Sequence, residues 1–219
     1  MPGLEPTGPE RLSRLAGLYA IVGGPDPLAQ AEAAVSGGAA AVQVRMKAAR
    51  PAEVLEVARR IVGLAGGRAL VLVNDRADLA LLSGADGVHV GWEDLPVAEA
   101  RRLLGPDRLV GWTATSLAEA REGIARGADH VGFGPVFASR TKSMGVPLAG
   151  IAGLAEVVAG LSAPVVAISG ITLENVGEVA RAGAACAAVI EALFGAGDPR
   201  RNASDLARAF AAGRARRRG

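Results

Sequence analysis

Residues 70–96 read LVLVNDRADLALLSGADGVHVGWEDLP and contain a whole strand–helix–strand unit. LVLVN is a short apolar run of the kind buried on both faces of a parallel sheet. Asn74 and Asp75 end it, and Arg76 opens a stretch whose apolar positions have helical spacing. SGADGV at 83–88 then stops the helix on a glycine and starts the next run, VHVG, from small residues. The polar residues collect where each apolar run stops, Asn74 and Asp75 after the first and Asp94 after the second.

The same unit recurs on either side of this stretch. Its helix-to-strand punctuation returns as SGGAAAV at 36–42, RGADHV at 126–131 and RAGAACAAV at 181–189. Eight apolar runs start at Leu18, Ala41, Leu70, Val88, Leu109, His130, Pro164 and Ala187, spaced 23, 29, 18, 21, 21, 34 and 23 residues apart. Most of the gaps hold Ala/Leu/Glu/Arg segments with helical periodicity. Eight βα units favour a closed (β/α)8 TIM barrel, an α/β fold, over the alternative of an open doubly wound sheet. The whole chain, 1–219, reads as a single TIM-barrel domain, because half of it is apolar and no Gly- or Pro-rich linker divides it. Residues 1–13, with Pro2, Pro6 and Pro9, are expected to be a loosely held N-terminal arm, and residues 213–219 a basic C-terminal tail.

Composition narrows the function. Arg214, Arg216, Arg217 and Arg218 account for the basic balance, since removing their charges takes the formal net charge from +2 to −2. With 3% aromatic residues there is little to stack on bases, so nucleic-acid partners are not expected. No apolar run reaches the roughly 18 residues of a membrane span, and no secretory segment is recognisable, so a cytoplasmic protein without a membrane partner is expected. A single cysteine, Cys186, excludes an intrachain disulfide and reads as a small core residue. The sequence leaves oligomeric state open, and a homo-oligomer is compatible with it.

In a barrel of this class the catalytic groups stand at the carboxyl ends of the strands. Gln43, Arg45 and Lys47 alternate along one face of the second run. An amide and two cations on an inward face are costly unless they meet an anion. Asp75 and Asp94, after the next two runs, can share a cation. Oxygen donors without a His/Cys cluster fit Mg2+, which takes one or two carboxylates and fills its shell with water and phosphate oxygens. The competing reading of Asn74-Asp75 is an ordinary helix N-cap. Thr113 ends the fifth run, and Ser116 can cap the helix after it. The loop GPVFASRTKSMGVPLAG at 134–150 carries Ser139, Thr141 and Lys142, hydroxyls and a cation able to close on phosphate. Gly170, after the seventh run, and Ile190, after the eighth, stand where such barrels commonly hold a phosphate by backbone amides. His89 reads as a hydrogen-bonded core histidine near the barrel mouth.

In this order the motifs resemble those of the thiamine phosphate synthase family over about Leu18 to Phe194: Q-x-R-x-K at 43–47, N-D at 74–75, D-G-V-H-V-G-W-E-D at 86–94, G-P-V-F-A-S-R-T-K at 134–142 and G-I-T at 170–172. The resemblance implies an enzyme with two small-molecule substrates, hydroxymethylpyrimidine diphosphate and hydroxyethylthiazole phosphate, which it joins into thiamine phosphate with release of diphosphate. It implies Mg2+ on Asp75 and Asp94, with Arg45, Lys47 and Lys142 at the leaving diphosphate. Gln43 would meet the pyrimidine, Asn74 and Thr113 the substrate or diphosphate, and Ser139, Thr141 and the Gly170 backbone the thiazole phosphate. Met46, Trp92, Glu191 and the pair Ala185-Cys186 depart from the family pattern, which usually has an acidic residue, glutamine, serine and D-G there. Alternatives that share the barrel are a thiazole tautomerase-like paralogue, against which Pro135 and the two retained carboxylates speak, and a non-catalytic regulatory barrel.

Overall fold

In the computed structural model, which describes residues 6–139 and 145–217, eight parallel strands close into a barrel in chain order. They are β1 (Gly17–Val22), β2 (Ala41–Val44), β3 (Leu70–Asn74), β4 (Gly87–Val90), β5 (Leu109–Ala114), β6 (His130–Phe133), β7 (Val165–Ala167) and β8 (Cys186–Val189). Each starts within one residue of the run read from the sequence. Strand β8 pairs with β1 through Gly17–Cys186 and Ala20–Val189, so no edge is left open. A ring of helices surrounds the strands: α2 (Pro27–Ser36), α3 (Pro51–Ala65), α4 (Ala77–Ser83), α5 (Val97–Leu104), α6 (Leu117–Ala125), α7 (Gly150–Gly160), α8 (Val176–Ala182), the single turn α9 (Glu191–Phe194) and α10 (Pro199–Arg217).

The period of two along the strands separates two apolar layers. Leu18, Val42, Val71, Val73, Val88, Val110 and Val131 face outward and are buried against the helices. Tyr19, Leu70, Leu72, Leu109, Val166 and Cys186 face inward and form a second cluster that fills the lower barrel. Towards the carboxyl ends this filling turns polar, with Gln43 at 3% exposure and Asn74 half-buried. Polar groups so placed near the mouth cost stability unless something there uses them.

Both chain ends differ from expectation. Residues 8–13 form α1 (Gly8–Ser13), a helix seated under the barrel, where the sequence predicts a loose arm. The Arg11 guanidinium, 4% exposed, donates to Asp86 Oδ1 at 2.8 Å and to the Asp107 carbonyl at 3.1 Å, while Leu15 joins the inner core. At the other end, residues 213–217 are the last turn of α10 rather than a tail. Ala203, Leu206, Phe210 and Gly213 bury one stripe of this helix. Gly213 is required at the α8 crossing, where a Cβ would come within 2.4 Å of the Gly177 carbonyl oxygen. Among the described residues no helix is long and apolar enough to cross a membrane.

Candidate active site

The carboxyl ends of β2, β3 and β4 bring together the groups singled out from the sequence. Strand β2 stops at Val44, earlier than the alternation Gln43–Arg45–Lys47 implies. Gln43 alone points into the barrel, where its Nε2 donates to the Tyr19 hydroxyl at 2.9 Å. Burial raises the Tyr19 pKa, so that hydroxyl stays protonated and gives Gln43 a fixed acceptor. Arg45 continues the ladder through its amide to the Val22 carbonyl, 2.7 Å, and carries no ion pair among the described residues. Lys47 reaches over the mouth to Asp75 Oδ2 at 3.3 Å.

Asp75 has φ 65, a left-handed backbone uncommon outside glycine. Such a conformation costs about 1–3 kcal/mol and persists where surrounding structure holds it. Here the Asp75 amide donates to the His89 carbonyl at 2.8 Å. The twist removes Asp75 from helix capping: α4 begins after Arg76, and no side chain caps its first turn. The carboxyl instead comes within hydrogen-bond reach of Asp94, whose Oδ2 accepts the Gly91 amide at 2.8 Å. Desolvation, then the hydrogen bond and charge of Asp94, push the Asp75 pKa above the ordinary carboxylate value, and Lys47 offsets this only partly. Two carboxylates held together against their repulsion suit a shared cation. Their donor set is all oxygen, as Mg2+ prefers. No group of three His, Cys, Asp or Glu side chains among the described residues offers a complete metal cage. A cavity of about 310 Å³ opens beside Asp75 on the side of α3 and α4, lined by Met46, Lys47, Val54, Asn74, Asp75 and Leu79.

Across the mouth, Thr113 Oγ1 lies 2.9 Å from His89 Nε2. The imidazoles of His89 and His130 sit 5.8 Å apart, and glycine is needed beside them because a Cβ on Gly111 would fall within 2.6 Å of both rings. Burial, then the neighbouring His89, lowers the His130 pKa to about 3. Ser116 caps α6, as its position predicts, through the Glu119 amide at 3.2 Å.

The remaining candidates stand at β6–β8. After Phe133 the chain runs along the β7 end, with the Val136 and Phe137 amides on the Ile168 and Ser169 carbonyls at 3.0 and 3.2 Å. This brings the Ser139 segment beside Gly170, where a Cβ would meet the Ala138 carbonyl oxygen at 2.3 Å. Ser169 and Gly170 both have positive φ, 77 and 66, so consecutive amides are turned out of the strand direction. Asn175 fastens this turn, accepting from the Thr172 amide at 2.8 Å and donating to the Gly170 carbonyl at 3.0 Å. Ile190 tops β8 at the start of α9, and Glu191 is exposed in the first turn of that helix. Thr141 and Lys142 lie outside the described residues.

Sequence reading missed Tyr19 and Asn175 as supports, since a core tyrosine and a loop asparagine carry no local signal of what they hold. It also left open where Trp92 goes. Trp92 turns to the outer side of the barrel, its ring 5.0 Å from that of Trp112, which packs on α6.

Comparison with known proteins agrees with this arrangement. The family model described as thiamine monophosphate synthase matches residues 18–193. Thiamine-phosphate synthase of Anaeromyxobacter dehalogenans is 67% identical over 207 residues, covering 94% of this chain and 93% of that one. The Myxococcus xanthus protein of the same name is 48% identical, covering 82% and 83%. The solved structure of thiamine phosphate pyrophosphorylase from Pyrococcus furiosus superposes with a TM-score of 0.85 at 35% identity, covering 92% of this chain and 98% of that one. A 3-hexulose-6-phosphate synthase structure, at 20% identity and TM-score 0.68, shares the fold alone. With matches that run from the first strand of the barrel to the turn beyond the last, the chain belongs to the thiamine monophosphate synthase family.

Proposed function

We propose that this enzyme joins a hydroxymethylpyrimidine diphosphate to a hydroxyethylthiazole phosphate, forming thiamine phosphate and releasing diphosphate. The convergence of Asp75, Asp94 and Lys47 at one mouth is the observation that carries this reading. In the proposed reaction the bond from the pyrimidine methylene carbon to the diphosphate oxygen breaks, and its electron pair leaves with the diphosphate. The thiazole nitrogen lone pair then forms the new carbon–nitrogen bond. No proton has to be removed from the nucleophile, so the chemistry needs charge neutralisation more than a general base.

Asp75 and Asp94 would hold Mg2+, which when bound supplies positive charge against the departing diphosphate. Arg45, which has no ion pair among the described residues, and Lys47 are proposed to bind the same anion. Lys142 is proposed to add a third cation from the loop after β6. Gln43, held by Tyr19, orients the pyrimidine, and Asn74 and Thr113 line the substrate's path between them. The turned amides at Ser169–Gly170, with Ser139, Thr141 and the backbone at Ile190, are proposed to hold the thiazole phosphate. Glu191 and Met46, which depart from the motif pattern noted in the sequence, would then tune affinity rather than the reaction.

Incubation of the purified chain with both substrates and Mg2+ should yield thiamine phosphate and diphosphate in equal amounts. Substrate binding without either product would overturn the assignment.

A further inference from the structure

On the amino-terminal face of the barrel, opposite the mouth, the residue before each even-numbered strand donates its amide to the strand before it. This residue is an aspartate before β4 and β6 but alanine before β2 (Ala40) and β8. Asp86, just before β4, donates its amide to the Val71 carbonyl and accepts the Val71 amide on Oδ2, both at 2.8 Å. Asp129, just before β6, does the same with Val110, at 2.8 and 2.7 Å. An arginine completes each carboxylate, Arg11 on Asp86 and Arg101 on Asp129. Before β8 the corresponding residue is Ala185, whose amide donates to the Val165 carbonyl at 2.8 Å. Its methyl group offers the Val165 amide nothing.

The arginines, however, are present. Arg214 and Arg217, from the last turns of α10, line a cavity of about 340 Å³ with Gly183, Ala184 and Ala185. The Arg217 guanidinium lies across Gly183 much as the Arg101 stem lies across Gly127 in the Asp129 unit. Neither guanidinium has a hydrogen bond or ion pair among the described residues. Arg214 is half-buried, and its charge reaches the buried Cys186 thiol above it. Two cations around a concave space, beside the position where a carboxylate stands in the sister units, make a site that lacks only its anion.

We propose that this cavity binds a small carboxylate-bearing molecule, whose carboxylate takes the place that an aspartate side chain holds before β4 and β6. Guanidinium recognises carboxylate through paired N–H donors, and the cavity is larger than one aspartate side chain, leaving space for the rest of a ligand. A ligand bound only by the folded chain raises its stability by mass action.

Thermal unfolding of the full chain tests this, with sodium acetate as probe against sodium chloride at equal ionic strength. Acetate should raise the Tm of the native chain, and Arg214→Gln should lose that response. Ala185→Asp supplies the carboxylate internally. It should raise the Tm by about 2–4 °C without acetate, as expected for one charge-assisted pair in a chain of this size. It should also respond no further to acetate, and it should be more stable than Ala185→Asn, which fills the same space without the charge. An equal acetate response in the native chain and Arg214→Gln, or an Ala185→Asp variant no more stable than Ala185→Asn, would overturn the proposal.

Discussion

Asp75 combines a left-handed backbone with a carboxyl group pressed against Asp94, so the fold works against itself at this residue. A carboxyl whose folded pKa lies above its unfolded value favours the native state in its protonated form. Its contribution is present below the unfolded value, near 4, and is lost as pH rises through the higher folded value. In metal-free buffer at neutral pH, Asp75→Asn should therefore raise the Tm, remove any stabilisation by Mg2+ and lower turnover by about 10²-fold. Calorimetry with and without Mg2+ reads the first two effects, and a lower Tm with an intact Mg2+ response would remove Asp75 from the cation site. Tyr19 bears on the proposed pyrimidine site through Gln43. Tyr19→Phe leaves the Gln43 amide without its buried acceptor, which costs about 1–3 kcal/mol, and should lower kcat/KM for the pyrimidine substrate about tenfold. Unaltered steady-state kinetics in that variant would show that the Gln43 orientation does not matter.

Among the elements, the strands were legible because each is a short apolar run, four of them introduced by glycine and a small residue, and a parallel strand buried on both faces leaves little ambiguity. The carboxyl-end groups Lys47, Asp75 and Asp94 were legible for the same reason, since topology alone places the ends of β2, β3 and β4 side by side. The terminal helices were not. Residues 8–13 are too few to show periodicity, and what orders them is Arg11 meeting Asp86, a partner 75 residues away. Likewise the basic C-terminal residues read as a tail because the apolar stripe that seats α10 ends at Gly213, four residues before the helix does. The weight of α1 can be measured. Arg11→Ala leaves Asp86 partly buried without its partner and should destabilise the chain by about 3 kcal/mol, while turnover of the folded fraction stays unchanged because this face lies opposite the mouth. Denaturant unfolding with an unchanged midpoint would show that α1 is an ornament on the barrel rather than part of it.

For the whole molecule, the barrel interior sets how acid unfolds it. His130 is fully buried among inward-facing side chains, and both its ring nitrogens lack a hydrogen-bond partner among the described residues. Its pKa, lowered to about 3 by burial and by His89, means that the folded chain keeps this imidazole neutral where the unfolded chain protonates it. The stability it contributes is fully present above the unfolded value near 6.5 and is lost as pH falls towards 3, at up to about 1.4 kcal/mol per pH unit. A ring of similar size without a titrating proton separates this effect from the carboxylates that also protonate in acid. His130→Phe should flatten the decline in unfolding free energy between pH 6 and about 4 relative to the native chain. Parallel pH profiles for the two proteins would mean that the imidazole at the centre of the barrel is protonated equally in the folded and unfolded states, and that acid acts elsewhere in the fold.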